Sequence, residues 1–283
     1  MSGDLVGEFL AALAAGVVGG LLATMAALRA APNGLVRTNV NGRQVPVVLG
    51  FGVAVGAVAG IFALVAAGSF TESQASDGSI DFSRAGIVIG IVGVMFAAGL
   101  YDDRRGDEAA RGFRGHLGAA RGGALTGGLV KIAAGALAGL IATLPFAGPL
   151  HKLEAFLLVP LAANLFNLLD RAPGRAVKVG WLFLVPLLAF GSEQWGLAAA
   201  GATGALLAVT PFDVRERGML GDAGSNPLGA IVGLGLVLSL PEPWLALSVV
   251  VMLALNALSE RVSFSTVIDS SAWLRALDRI GRR

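Results

Sequence analysis

Residues 85–104 read AGIVIGIVGVMFAAGLYDDR. No charge interrupts the run from Ala85 to Leu100, and two adjacent carboxylates, Asp102 and Asp103, close it. An arginine-dense loop follows. Such an uncharged apolar run signals a membrane helix. The acid pair therefore stands where a membrane helix meets water. Ionisable groups at that depth are costly and are candidates for function. The plainer reading is a charged helix end that only marks the interface; an adjacent pair favours function.

The rest of the chain extends the membrane reading. Of its 283 residues 55% are hydrophobic and 14% charged, against about 25% charged in soluble domains. Long uncharged runs recur from end to end, so a single integral-membrane domain is expected over residues 1–283, its last part, 270–283, an amphipathic tail. There is no cysteine, which removes disulfides, thiolate metal sites and cysteine nucleophiles. His116 and His151 are too far apart in sequence to form a metal-binding spacing. No basic residue precedes the first apolar run, and Asp4 and Glu8 are acidic; a retained helix is expected there rather than a cleaved signal.

Nine spans are expected in an all-α bundle: about Val6–Leu28, Val45–Ala67, Ala85–Leu100, Ala124–Leu144, Leu153–Leu169, Val179–Phe190, Trp195–Val209, Pro227–Leu240 and Pro243–Leu258. In this register almost every basic residue falls on one side, leaving Arg84 and Lys152 on the other. By the positive-inside rule the rich side is cytoplasmic. The amino terminus is then outside and the carboxyl terminus inside, as in a multi-pass inner (plasma) membrane protein. In the tail, Trp273, Leu274, Leu277 and Ile280 recur at helical spacing among Arg275, Arg279, Arg282 and Arg283, the pattern of an interfacial anchor helix.

Four features share the basic side. Asp102 and Asp103 are neighbours on a helix and point about 100° apart, so one can act as base or metal ligand while the other orients a neighbouring group. Asn164, Asn167 and Asp170 recur every three residues and form a polar stripe that must face the bundle or a cavity; interhelical bridging is the plainer reading of an Asn such as Asn164 taken alone, whereas the three together, ending in a carboxylate, favour a site. In Gly221-Asp-Ala-Gly-Ser-Asn-Pro227, the small residues allow close backbone approach, Pro227 suits a helix's first turn, and Ser225 or Asn226 suits its cap. Free amides at such a helix start can bind phosphate. Asp222 beside them calls for an intervening cation, whose oxygen ligands suit magnesium. Finally, a basic set comprises Arg37 and Arg43 in the first basic loop and Arg111, Arg114, Arg121 and Lys131 after the Asp pair. Arg37, Arg121 and the tail arginines read as topology signals, whereas Lys131 lies inside the fourth span and needs an anionic partner, for which the Asp102–Asp103 pair or a phosphate would serve. Carboxylates, a divalent cation and cationic side chains at one membrane surface suggest phosphate chemistry on a lipid. A transporter would cluster its polar residues at mid-membrane in broken helices; these sit at helix ends.

The order of these motifs resembles the polyprenyl-phosphate N-acetylhexosamine-1-phosphate transferases, the glycosyltransferase 4 type that includes phospho-MurNAc-pentapeptide translocase and the GlcNAc-1-phosphate transferases of cell-envelope glycan synthesis. Gly99-Leu-Tyr-Asp-Asp-Arg104 resembles their Asp-Asp motif, Asn164 to Asp170 their Asn-x-x-Asn-x-x-Asp motif, and Gly221-Asp-Ala-Gly-Ser225 their Gly-Asp-x-Gly-Ser motif. Arg43-Gln-Val-Pro46 resembles their first cytoplasmic loop, and Lys131 matches a family lysine. Each motif alone is weak; three in order, on alternate loops, are specific. The resemblance implies catalytic roles for Asp102, Asp103 and Asp170, with one of the pair deprotonating or positioning the lipid phosphate. It implies substrate contacts from Arg43, Lys131, Asn164, Asn167 and Ser225. Asp222 and Asp170 would hold Mg2+, with Mn2+ as an alternative. The implied reaction moves a sugar-1-phosphate from a UDP-sugar, of the UDP-HexNAc class, to polyprenyl phosphate with release of UMP. The expected partners are polyprenyl phosphate, the nucleotide-sugar donor, the membrane and, as a homodimer, a second copy of the chain; no nucleic acid is expected.

The chain departs from that family's pattern in places. Where the family continues Gly-x-Asp-Gly, this chain has Arg171-Ala-Pro-Gly-Arg175, and no histidine stands in the last basic loop, Ser259 to Ser265. A tenth span is absent from the reading. These departures motivate an alternative: a non-catalytic membrane relative that binds lipid phosphate or acts as a scaffold.

Overall fold

A computed structural model of the protein describes residues 3–30, 34–67, 82–105 and 127–282. Among them are nine long helices: α1 (Gly3–Ala30), α2 (Leu49–Ala66), α3 (Phe82–Arg105), α4 (Gly127–Ala142), α5 (Pro149–Leu169), α6 (Arg175–Phe190), α7 (Glu193–Val214), α8 (Asp222–Ser239) and α9 (Trp244–Ser259). They fall on the nine apolar intervals to within a few residues. Two short helices follow, α10 (Phe264–Ser270) and α11 (Ala272–Arg279). The protein is thus a helical, multi-pass membrane bundle with one short β-hairpin. Five helices are long and apolar enough to cross a bilayer, or six if α9 and α10, bent by 91°, count as one broken span. Large apolar side chains such as Leu22, Phe62, Leu182 and Val250 are exposed on the outside, as a lipid-facing surface requires.

Helix α8 is the axis of the bundle. Every residue from Ala223 to Val237 is buried, and α8 packs against α5, α3, α2 and α6. Because lipid is as apolar as a helix surface, close packing rather than water exclusion holds such helices together. The contact of α2 with α7 shows how. Gly60 meets Gly201 so closely that a Cβ on either would overlap the other's backbone. On the other flank, α1 packs against α2 and α7.

Two expectations about element starts are corrected. The second span was placed from Val45, but Gln44–Pro46 form a strand, β2, antiparallel to β1 (Val36–Thr38), with Arg37 opposite Val45. The turn between them is closed by the Asn39 side chain, whose Oδ1 accepts from the amides of Asn41 at 3.0 Å and Arg43 at 2.9 Å, an Asx arrangement that ends any helix there. The helix at residue 227 begins earlier than expected, at Asp222, with Gly221 rather than Ser225 or Asn226 preceding it. Pro227 therefore lies inside α8, where it cannot donate to the Ala223 carbonyl. The early start is possible because another helix supplies the missing cap.

Candidate functional site

The site is built around the first turn of α8. Asp103, in the last turn of α3 and 6% exposed, aims its carboxylate at that turn. Its two oxygens accept from the amides of Asp222 at 3.1 Å and Ala223 at 3.0 Å. A charged acceptor on otherwise unpaired amides also meets the positive end of the helix dipole. The amides expected to be free for phosphate are therefore occupied by Asp103. Two glycines make this approach geometrically accessible. A Cβ on Gly99 would overlap the Asp222 carbonyl. Gly221 has φ +63, and a Cβ there would overlap Val47 and lie 2.6 Å from an Asp103 oxygen. Arg37 donates to the Asp103 backbone carbonyl, so this arginine, read from sequence as a topology signal, belongs to the site.

Asp102 points elsewhere, as the helical geometry requires. The Lys131 ammonium, from α4, lies 2.7 Å from its Oδ2 and also contacts the Asp222 carboxylate. The lysine thus bridges one carboxylate of α3 and one of α8, and is itself 33% exposed. Of the anionic partners expected for Lys131, the Asp102–Asp103 pair or a phosphate, the structure supplies Asp102, joined by Asp222 rather than Asp103.

The stripe on α5 divides. Asn167 donates to Asn226 Oδ1 at 3.2 Å, joining α5 to α8 beside Asp222. Asp170, just past the end of α5, is buried and accepts from the Gly221 amide. Burial, and then the neighbouring carboxylates of Asp213, Asp222 and Asp103, push its carboxyl well above the usual 3.8. Asn164 faces outward and donates to Asn256 of α9 at 2.6 Å; it bridges helices at the bundle surface. Ser225 is fully buried, its hydroxyl donating to the Gly221 carbonyl. Arg43 reaches Glu216 at 3.7 Å with its guanidinium largely exposed. Glu216, at φ 55, also accepts from the side chains of Asn39 and Asn41, clamping the β-hairpin onto the segment before α8. Arg111, Arg114, Arg121 and His116 lie outside the described residues.

Sequence reasoning missed several members. Asp213 of α7, 1% exposed, accepts from the Gly174 amide at 3.0 Å, and Gly174 opens α6 in the left-handed region. The tail is also tied to this end of the bundle. Arg175 grips Asp278 with two hydrogen bonds, Nε at 3.0 Å and Nη2 at 2.9 Å, and donates to Ser265. Arg282 pairs with Asp278 at 2.6 Å and donates to the Pro173 carbonyl. Trp273, Leu277 and Ile280 stay exposed. The tail helix therefore presents its apolar side outward, as an interfacial anchor needs, and fastens its polar side to the turn after Asp170. The signal for this docking was Asp278, an acid among the tail arginines.

Asp102, Asp103, Asp170, Asp213 and Asp222 thus converge from α3, α7, α8 and the end of α5, opposed by Lys131 and Arg37 and, at Asp213, by Lys178 and Arg282. The excess of negative charge in a buried setting is the condition that a divalent cation relieves. The donors Asp102, Asp170, Asp222 and the Asn167 amide oxygen are all oxygens, the set that magnesium takes. The residues therefore fit such an ion. No model of a known protein family matches the chain, and no curated protein matches it.

Proposed function

We propose that this chain transfers a sugar-1-phosphate from a UDP-sugar to polyprenyl phosphate, at the cytoplasmic face of the inner membrane, in a nine-span bundle with its amino terminus outside. The observation that carries the reading is the meeting of Asp102, Lys131 and Asp222. Two motifs far apart in sequence supply the aspartates, each resembling one in the phosphosugar transferases, and Lys131 matches a lysine of that family. In the proposed reaction an oxygen of the lipid phosphate attacks the β-phosphorus of the donor. The bond from that phosphorus to the bridging oxygen breaks, and UMP leaves with that oxygen. Asp102 is the base or positioning group for the lipid phosphate. Asp103 is a positioning residue, since both its oxygens serve the α8 amides. Lys131 offers positive charge to the phosphates, the electrostatic help such transfers need. Magnesium, when held by Asp222 and Asp170, would supply further neutralisation of the pyrophosphate.

The alternative, a lipid-phosphate binder or scaffold without turnover, is favoured by one observation. The turn at Pro173, where the family carries a second carboxylate, here docks Arg282 of the tail. Purified protein in detergent with magnesium, polyprenyl phosphate and a panel of UDP-sugars separates the two. Release of UMP with one donor supports the transferase; lipid-phosphate binding with no UMP from any donor supports the alternative. The chain has no cysteine, so single introduced cysteines at the loops, labelled from either side, test the span count and orientation.

A further inference from the structure

A second polar cluster lies at the far end of the bundle, where α5 begins and α8 ends. Asp222 and the turn at Glu242 are separated by the length of α8, roughly 25–30 Å at about 1.5 Å per residue. His151, Glu154 and Glu242 each offer a ligand atom there, and these atoms lie within 4.8 Å of one another. Glu154 is 4% exposed, and neither of its carboxylate oxygens has a hydrogen-bond partner. Among the described residues its ionisable neighbours are Glu242 and His151. A buried carboxylate without a donor and against a second carboxylate is costly unless a cation or a shared proton joins them. His151 is held in place by stacking on Phe146, with ring centroids 5.9 Å apart. It also lines a cavity of about 420 Å³ with Phe146, Leu238 and Leu240.

We infer that His151, Glu154 and Glu242 form a binding site for a divalent transition-metal cation of the zinc class. One imidazole nitrogen and two carboxylates are ligands that zinc accepts, and three protein ligands leave one position open. The imidazole separates this site from the all-oxygen cluster at the other end, which suits magnesium. Tetrahedral ligands at about 2.1 Å from zinc stand roughly 3.4 Å apart. Glu242 is exposed in the turn between α8 and α9, so its rotation closes the gap. The cavity beside His151 admits water or a small oxyanion to the open position. Bound metal fastens the start of α5 to the α8–α9 turn.

The test is cobalt binding to the whole chain in detergent, after chelator treatment and removal of the chelator. Cobalt is expected to bind with visible ligand-field absorption, to be displaced by Zn2+ and to survive excess Mg2+. His151→Ala and Glu242→Gln each weaken binding at least tenfold while the protein still elutes as a folded species; both residues are less buried than Glu154, so the test does not depend on a core change. Asp222→Asn leaves the absorption unchanged. The inference is overturned by wild-type protein that binds no cobalt, the result a proton shared by the two glutamates would give. It is equally overturned by His151→Ala and Glu242→Gln proteins that bind cobalt like the wild type.

Discussion

The carboxylate of Asp103 caps the helix that Asp222 begins, 3.1 Å from the Asp222 amide and 3.0 Å from that of Ala223. The cap comes from a residue 119 positions away in sequence. It joins the end of α3 to the start of α8 and fixes the direction in which the Asp222 side chain leaves. Replacing Asp103 with Ala strands two amides at a buried helix end, a loss of about 1–3 kcal/mol for each amide left without an acceptor. The expected outcome is a lower melting temperature in detergent for Asp103→Ala and a smaller drop for Asp103→Asn, whose amide oxygen still accepts one bond. A melt of Asp103→Ala equal to wild type removes the capping role.

Gly221 tests the same joint from the other side. With φ at +63 and no room for a Cβ between Val47 and the Asp103 carboxylate, Gly221→Ala combines backbone strain with overlap. Strain at such a φ costs about 1–3 kcal/mol before any overlap. Gly221→Ala is expected to express poorly or to melt well below wild type, whereas Gly93→Ala, where a Cβ meets nothing within 4 Å, stays near wild type.

The helices themselves were legible because the pattern of uncharged runs and the placement of arginines report burial in lipid directly. Four carboxylates of the site, Asp102, Asp103, Asp170 and Asp222, were legible too, since a charge at a helix end is visible in one dimension; Asp213 was not. Their partners were not. Lys131 was seen to need an anion, but only packing decides that Asp102 and Asp222 flank it together. Arg37 and the topology arginines look alike in sequence; the hairpin fold turns Arg37 toward the Asp103 carbonyl. The hairpin was hidden because Val45 to Val48 continues smoothly into the apolar run of α2. The cluster at His151 was hidden because His151 and Glu154 stand three apart on one helix but their third member, Glu242, is brought to them only by the fold.

Lys131 is the residue whose change best separates chemistry from folding. It is partly exposed and contacts two carboxylates, so Lys131→Met leaves them facing one another without the ammonium. UMP release, where a donor supports it, is expected to fall about a hundredfold or more, in the range seen when one electrostatic stabiliser is removed. Retained activity in Lys131→Met would place the lysine outside the reaction.

Asn164 carries the opposite expectation. Its side chain is spent on Asn256, whose own amide donates to the Leu161 and Met252 carbonyls. Polar bridges between membrane helices contribute about 0.6 kcal/mol on average and up to about 1.7. Asn164→Ala is expected to lower stability by about 1 kcal/mol and to leave UMP release within twofold of wild type. A large fall in turnover with unchanged stability would return Asn164 to the substrate site.

The tail gives a pH-dependent prediction. Burial pushes the Asp278 carboxyl up, but the hydrogen bonds and charge of Arg175, with the charges of Arg282 and Lys178, outweigh it and hold the group below 3.8. A carboxyl depressed in the folded protein contributes docking energy that is fully present above its ordinary value. That energy is lost as pH falls below 3.8 and through the depressed value. The ion pair is nearly sealed from solvent, with Arg175 and Asp278 side chains 6% and 8% exposed, and breaking one partner of such a pair costs about 3–5 kcal/mol. Hydrogen exchange at residues 272–279 is therefore expected to stay slow from neutral pH down to about 4 and to quicken, beyond the intrinsic pH trend, at lower pH. Asp278→Asn is expected to show the quickened exchange already at neutral pH, and trypsin to cut it at Arg279 and Arg282 before the wild type. Equal protection in Asp278→Asn and wild type at neutral pH would mean that the membrane-facing side of the helix, through Trp273, Leu277 and Ile280, holds the tail without the ion pair.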